Sequence, residues 1–243
     1  MTTALTRDTR SGVHFGLVEL DLLATHAGVR FPFPLRVPEF GRIAGERAVL
    51  LAAAGSTLRT RGLAGDRGPV GLAAEVVTAL QEYRGTVDLV LAHPHRVVGA
   101  VAMVYRSWAL ICSQPLTGDP TDLVRVRRVA QTALTDELIE LVPEREPAQA
   151  MPITLPPSGA DPHILDQLGG LLPEVTGRGQ LGATRRLAGR TGPELSWLDS
   201  PHGRVRVDRT HDGWLSVNPL RRNDIRFSLD DLAMIARREH NGS

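Results

Sequence analysis

The chain has no lysine: all 28 of its basic residues are arginine, set against 27 acidic ones, for a formal net charge of +1 over 243 residues. That balance supplies no global field to draw the protein onto nucleic acid or an anionic bilayer. Cysteine is nearly absent as well. Cys112 stands alone, so no intrachain disulfide is available and nothing argues for an oxidising compartment. Aromatic residues make up 4% of the chain, too few to interleave with arginines as a base-stacking platform. No stretch approaches the ~18 consecutive apolar residues a spanning helix needs. The first residues, MTTALTRDTRSGVHFG, lack the basic-then-apolar pattern of a secretory signal. The expectation is a cytoplasmic protein.

What is present is ordinary in bulk, with 42% hydrophobic and 23% charged residues, and long enough for one large domain or two small ones. The most informative stretch, Phe31 to Leu63, contains no catalytic grouping. Pro32, Pro34 and Pro38 hold the backbone extended. A long amphipathic helix follows, with Ile43, Leu50, Ala54 and Leu58 on one face and a stop at Gly62. Such a segment carries architecture rather than chemistry.

Around it the periodicities predict a helix over Leu17–Ala27, with Leu20 and Leu23 inward and Gly28 as its stop. Another helix starts with Pro69 in its first turn and buries Leu72, Val76, Ala79, Leu80 and Tyr83. From Thr86 the pattern turns to strands: TVDLVLA, RVVGAVAMVY, SWALICS and LVRVRRV, joined by HPH and by a tight break at Arg106. Short connections favour antiparallel pairing. Thr135 is placed to cap a helix burying Leu134, Leu138 and Leu141. The Pro-rich segment 144–160 reads as the connection between two halves, with MPITLP as a short edge strand. A second round then follows: a helix from Asp161-Pro162 carrying Leu165, Leu168 and Leu172, strands ELSWLDS, GRVRVDR and GWLSV, and a last helix opening at Ser228. The predicted architecture is α+β. After a loose N-terminus (1–12), two related halves, about 13–143 and 151–238, share a central antiparallel sheet flanked by helical bundles in one quasi-twofold domain (13–238).

Candidate chemistry is sparse. Gly177 to Gly182, GRGQLG, matches a dinucleotide fingerprint, but that site needs a strand before it and a helix after it. Here helical residues precede and strand-like ones follow, so a flexible turn is expected. His93 and His95 flank Pro94 and supply two imidazoles without a third ligand nearby. No nucleophile elbow exists, Cys112 sits mid-strand as a small hydrophobe, and the carboxylate pairs lie at loops or helix starts. The alternating arginines of LVRVRRV and GRVRVDR read as solvated sheet faces. Trp197 and Trp214 are assigned to the core or the sheet.

These residues together resemble the EspG family, secretion-associated chaperones of type VII (ESX) systems. Carrying the resemblance are Phe33-Pro34-Leu35-Arg36-Val37-Pro38, Glu46-Arg47, Leu58, Arg61-Gly62-Leu63, the strand Val87–Leu89 and VRVRRV. The C-terminal half adds Leu195-Ser196-Trp197-Leu198-Asp199, Gly203-Arg204 and Asp212 to Pro219, the whole being colinear over roughly 13–238. The lysine-free, Ala/Gly/Pro-rich composition fits a GC-rich actinobacterial genome. The resemblance implies a non-enzymatic cytosolic chaperone without a cofactor. Its implied partner is the exposed apolar tip of a PPE-type protein, paired with a PE protein or replaced by a WXG100-like client, and a homodimer of the free protein stays open. No nucleic-acid or membrane partner is implied. Tyr105, Arg106, Ser107 and Trp108 at the hairpin tip are the candidate partner contacts, with ordinary sheet packing as the competing reading of Trp108. The alternative function is a small-molecule-binding or metal-dependent enzyme using His93 and His95.

Overall fold

The computed structural model describes residues 12–159 and 161–238. The expected loose N-terminus lies, but for Gly12, outside the described residues. The first half opens with an edge strand, β1 (Val13–Gly16), followed by α1 (Leu17–Ala27), α2 (Ala44–Thr60), the minimal hairpin β2 (Ala64–Gly65) and β3 (Gly68–Pro69), and α3 (Leu72–Glu82). A four-strand meander comes next: β4 (Gly85–His93), β5 (Arg96–Tyr105), β6 (Trp108–Pro115) and β7 (Leu123–Ala130), closed by α4 (Leu134–Ile139). The second half repeats the plan with β8 (Ile153–Leu155) and α5 (Pro162–Leu171). Its meander is β9 (Gly177–Arg185) with the side strand β10 (Gly189–Arg190), then β11 (Leu195–Ser200), β12 (Gly203–Arg209) and β13 (Leu215–Pro219), before α6 (Arg222–Arg237).

The main sheet runs β1-β7-β6-β5-β4-β9-β11-β12-β13-β8, antiparallel at every pairing, with β10 beside β9. Each half contributes an outer strand, a helix, a meander and a closing helix. The halves meet at β4–β9, where Leu89 lies opposite Leu181. An antiparallel joint between equivalent strands is what a twofold axis normal to the sheet requires.

Strand alternation divides the core into layers. Val87, Leu89 and Leu91 of β4 and Leu181 and Ala183 of β9 face α4 and α6, where Leu134, Leu138, Leu229, Leu232 and Ala236 are buried against them. The opposite face of the first half carries Val101, Met103, Leu110 and Cys112, covered by Leu20, Leu23, Leu58, Val76 and Leu80 of α1–α3. On that same side of the second half, Val205 and Val217 pack under Leu171 and Leu168 of α5.

Helix α1 and its Gly28 stop, the meander strands, the antiparallel pairing and the MPITLP edge strand stand as the sequence predicts. Several local expectations do not. Ile43 precedes α2 and is 70% exposed, so only Ala54 and Leu58 anchor that helix deeply. Pro69 belongs to β3, and α3 starts only after Gly71. Thr135 lies inside α4, and its hydroxyl donates to Asp230 of α6 at 2.6 Å, tying helix to helix instead of capping. Leu165 of α5 points outward. Helix α6 starts six residues before Ser228: the Arg221 amide donates to Asp224 at 3.0 Å, a cap the apolar pattern did not reveal. Trp214 is 42% exposed in the turn before β13, a surface residue and not core.

The largest departure is GRGQLG. Those residues form the body of β9, the strand that joins the halves. Its glycines make room. A Cβ on Gly179 would stand 2.5 Å from Trp197 Cη2 and nearer still to other ring atoms; one on Gly182 would collide with the Arg190 guanidinium. Strands avoid glycine unless something approaches the backbone closely, and here two large side chains do.

Candidate partner-binding surface

Most of the motif residues are structural ties. The N-terminal half of α1 carries Glu19 and Asp21, both buried. Arg61, just past α2, donates to both Glu19 oxygens at 2.7 and 2.8 Å, while Arg47 near the start of α2 bonds both Asp21 oxygens at 2.8 and 2.9 Å. Asp21 also accepts the Phe40 amide at 2.8 Å, and its carboxylate raises the Arg47 pKa. Two carboxylates on α1 thus fix both ends of a helix whose own apolar grip is small. Bidentate arginine–carboxylate geometry makes such ties directional. In the second half Arg204 and Asp199, both nearly inaccessible, pair at 2.6 and 3.0 Å beneath the Trp197 ring, and Arg204 also reaches the Pro143 carbonyl at 3.1 Å.

The hairpin tip is partly tied down. Arg106 and Ser107 form a two-residue turn, with Arg106 in the left-handed region at φ 43°. Both are exposed, but Tyr105 and Trp108 are half-buried, their rings 4.8 Å apart. The Tyr105 hydroxyl donates to Glu82, Arg128 stacks over Trp108, and the Gln131 side chain bonds the Arg106 carbonyl. Trp108, like Tyr83, packs against the first-half core from a partly buried position.

The enzyme alternative finds little geometry. His93 ends β4 with its Nδ1 3.4 Å from the Thr176 carbonyl, and His95 lies exposed in the turn. Among the described residues no three His, Cys, Asp or Glu side chains gather as metal ligands. Burial pushes the Cys112 thiol up to about 12, far from a thiolate at neutral pH.

A surface that sequence reasoning missed lies on the α1/α5 side of the sheet. There α1–α3 cover the first half in two layers, whereas α5 alone covers the second. Between these covers the joint strands are bare: Val90, Ala92, Val97, Gln180 and Ser196 are half-buried and belong to none of the three core clusters. They are neighbours by register, Val90 opposite Gln180, Gln180 opposite Ser196, and Ala92 opposite Val97. One side is walled by the proline strap. Gln114 holds it by bonding both the amide and the carbonyl of Arg36, at 2.8 and 3.0 Å, as a neighbouring strand would. Pro34 rests on Gly99, and Phe33 stays 62% exposed. At one end a concavity of about 510 Å³ is lined by Ala92, Pro94, Val97, Val175 and Arg178. At the other end Arg190 lies over Gly182, paired with Asp88 and Glu194. Burial pushes the Asp88 carboxyl up to about 6, against the opposing pull of Arg190.

The described residues thus form a quasi-twofold α+β scaffold with a broad, incompletely covered sheet face. Residues 17–231 match the family model described as the EspG family, and the chain belongs to that family. No curated protein matches it. Among solved structures it resembles the Mycobacterium tuberculosis type VII secretion system chaperone EspG5, described in complex with a PE25–PPE41 dimer. The TM-score is 0.60 and the identity 12%, with 90% of this chain and 95% of that one covered; at that identity the likeness establishes the fold. No helix among the described residues is long and apolar enough to cross a membrane.

Proposed function

We propose that this protein is a secretion chaperone that binds the exposed apolar tip of a PPE-type protein, itself paired with a PE protein. By covering the tip it keeps the pair soluble in the cytoplasm and delivers it to a type VII secretion system, without chemistry of its own. What supports this reading is the mismatch between two halves of one plan: two helical layers, α1–α3, cover the first half, whereas α5 is the single layer over the second. A client's helical tip supplies such a layer, and hiding a large apolar patch suppresses self-association. Residues 13–238 act as one EspG-like unit in this reading, with 144–160 the passage between halves. Tyr105, Arg106, Ser107 and Trp108 are proposed as a client contact at the far end of the β5–β6 hairpin. A client interface of standard size, about 1,600 Å² in total, fits reversible delivery better than an obligate pairing.

Co-expression with the PE–PPE pair encoded nearest to this gene tests the proposal. The expected result is a larger soluble fraction of the pair and a complex that survives size-exclusion chromatography. Equal solubility of every candidate pair with and without this protein refutes it, and stoichiometric zinc or iron in the purified protein would favour the histidine-based enzyme.

A further inference from the structure

One end of the sheet concentrates arginine. Arg84 precedes β4, Arg106 lies in the β5–β6 turn, Arg128 is near the end of β7, and Arg185 and Arg186 close β9. Backbone contacts join these positions: the Arg186 amide donates to the Arg84 carbonyl at 3.0 Å, and the Gln131 amide, after β7, donates to the Ser107 carbonyl at 3.2 Å. Helix α6 ends here too, so close that a Cβ on Gly85 would stand 2.8 Å from Ala236 Cα. Its Arg237 donates to the Gln131 carbonyl, and Arg238 beyond it is exposed. Against these seven cations the described residues set Glu82, which accepts from Tyr105, and Glu75, 3.5 Å from Arg128. Asp230 and Asp231 lie about two turns back along α6; counting them, seven positive charges still face four negative ones. The neighbouring Asp88, Glu137 and Asp136 are matched by Arg190, Arg127 and Arg226. With +1 over the whole chain, the remainder of the protein is net negative.

Three of the cations lie on rings: Arg106 over Tyr105, Arg128 over Trp108 and Arg186 over Tyr83, at 5.2, 5.3 and 5.1 Å from the centroids. Stacking holds a guanidinium by its face and leaves its in-plane N–H groups for a carboxylate fork. All three arginines are exposed. Among the described residues the Arg106 side chain has no hydrogen bond or ion pair, and that of Arg186 bonds only the Gln81 carbonyl. Beside Arg186, Leu187 is 75% exposed.

We infer that this arginine-rich end of the sheet is a docking surface for a carboxylate-rich protein segment that also carries an apolar residue for Leu187. Clustered cations on a protein otherwise net negative steer an acidic partner to this end. Each ring already holds a guanidinium that a stacking base would have to displace, and a phosphate backbone gives Leu187 nothing to pack on. Val97 at the bare sheet face and Tyr105 are eight residues apart on β5, about 26 Å, so both surfaces can be occupied at once. The inference goes beyond the chaperone reading, gives the contact proposed at Tyr105 to Trp108 its chemistry, and is tested without a client.

The test uses the full-length chain and a fluorescein-labelled peptide of four Glu-Glu-Leu repeats, with binding read by fluorescence anisotropy at low (about 50 mM) and high (about 500 mM) salt. Wild type should bind at low salt and lose about tenfold in affinity at high salt. Arg106→Glu/Arg186→Glu should weaken low-salt binding about tenfold or more and remove most of the salt dependence. Should that variant fail to fold, Arg106→Gln/Arg238→Gln removes two cations whose side chains hold nothing else but the Tyr105 ring, with about a threefold loss expected. Leu187→Ser should cost about threefold with this peptide and nothing with Glu-Glu-Ser repeats, and Arg59→Glu on the outer face of α2 should stay within about twofold of wild type. No binding by wild type, or unchanged binding by the double variants, overturns the inference and leaves the chaperone reading in place. Tighter low-salt binding of a 12-nucleotide oligothymidylate than of the peptide overturns it in favour of nucleic acid. Self-association of wild type that Arg106→Glu/Arg186→Glu abolishes, seen by sedimentation, overturns it in favour of a second copy of this chain.

Discussion

Replacing Gly179 by alanine asks whether the glycines of GRGQLG serve packing. Gly179 pairs with Trp197 across β9–β11, and the indole, 1% exposed, lies directly over it. An added methyl cannot share that space, so the ring must lift. The Arg204 guanidinium, 5.4 Å from the ring centroid and locked to Asp199, packs on the same ring. The methyl therefore strains both a buried aromatic and a buried ion pair. Overpacking alone costs typically 1–3 kcal/mol. With the ion pair disturbed as well, about 3 kcal/mol or more is expected, equivalent to about 6–12 °C in Tm for a chain of this size. Two other glycines calibrate the measurement. At Gly182 the obstructing atoms belong to the flexible Arg190 side chain, so alanine should cost about 1 kcal/mol. Gly170, in α5 with nothing within 4 Å of its Cβ position, should gain roughly 0.5–1 kcal/mol as alanine. Equilibrium urea unfolding followed by circular dichroism, with an unchanged m value, reads all three. A Gly179→Ala variant within about 1 kcal/mol of wild type, or a larger loss at Gly182, refutes the packing account.

Truncating Arg204 to alanine leaves Asp199 buried and uncompensated, so a loss of about 3–5 kcal/mol is expected; replacing both partners with apolar residues should cost distinctly less, which a double-mutant cycle in urea will show. Arg47→Ala frees one end of α2 and strips Asp21 of its bidentate partner, so a lower urea midpoint at unchanged m value and faster amide exchange across 44–54 are expected. Asp88 gives a pH signature. Its folded pKa, about 6, is above the ordinary carboxylate value of 3.8, so the folded state holds the proton more tightly than the unfolded one. Stability contributed by this group therefore rises as pH falls from about 6 toward 4. Measured against Asp88→Asn, wild type should gain stability between pH 7.5 and 5 by urea titration, and a relative loss over that window refutes the burial argument.

Legibility varied with the range of the forces involved. Helix α1 was readable because its apolar spacing and its glycine stop are local. The meander strands were readable because β-branched runs with short turns leave few alternatives to antiparallel pairing. Helix α6 was cut short at Ser228 because its first turns are polar, and the Asp224 cap works through a hydrogen bond that periodicity does not register. β9 was hidden for the opposite reason. Three glycines in six residues read as a turn until Trp197 and Arg190, 18 and 8 residues downstream of Gly179 and Gly182 in the chain, are seen to occupy the space they leave. The motif residues of α1 and α2 told a similar story: Arg47 and Arg61 were visible as signature positions, but their carboxylate partners on α1 were not.

By itself the sequence determined the class of element at most positions, the antiparallel α+β plan in two halves, and membership of a family whose motifs are spread along the chain. Those follow from period, turn chemistry and the order of segments, which are properties of the chain read in one dimension. The tertiary structure alone decided which faces of that plan are covered. Only folding brings the strap residue Arg36 to one side of the joint strands and Arg178 to the other, with bare valine and alanine between them. A surface defined by what fails to pack on it has no local signal, because exposure depends on every distant segment that could have covered it.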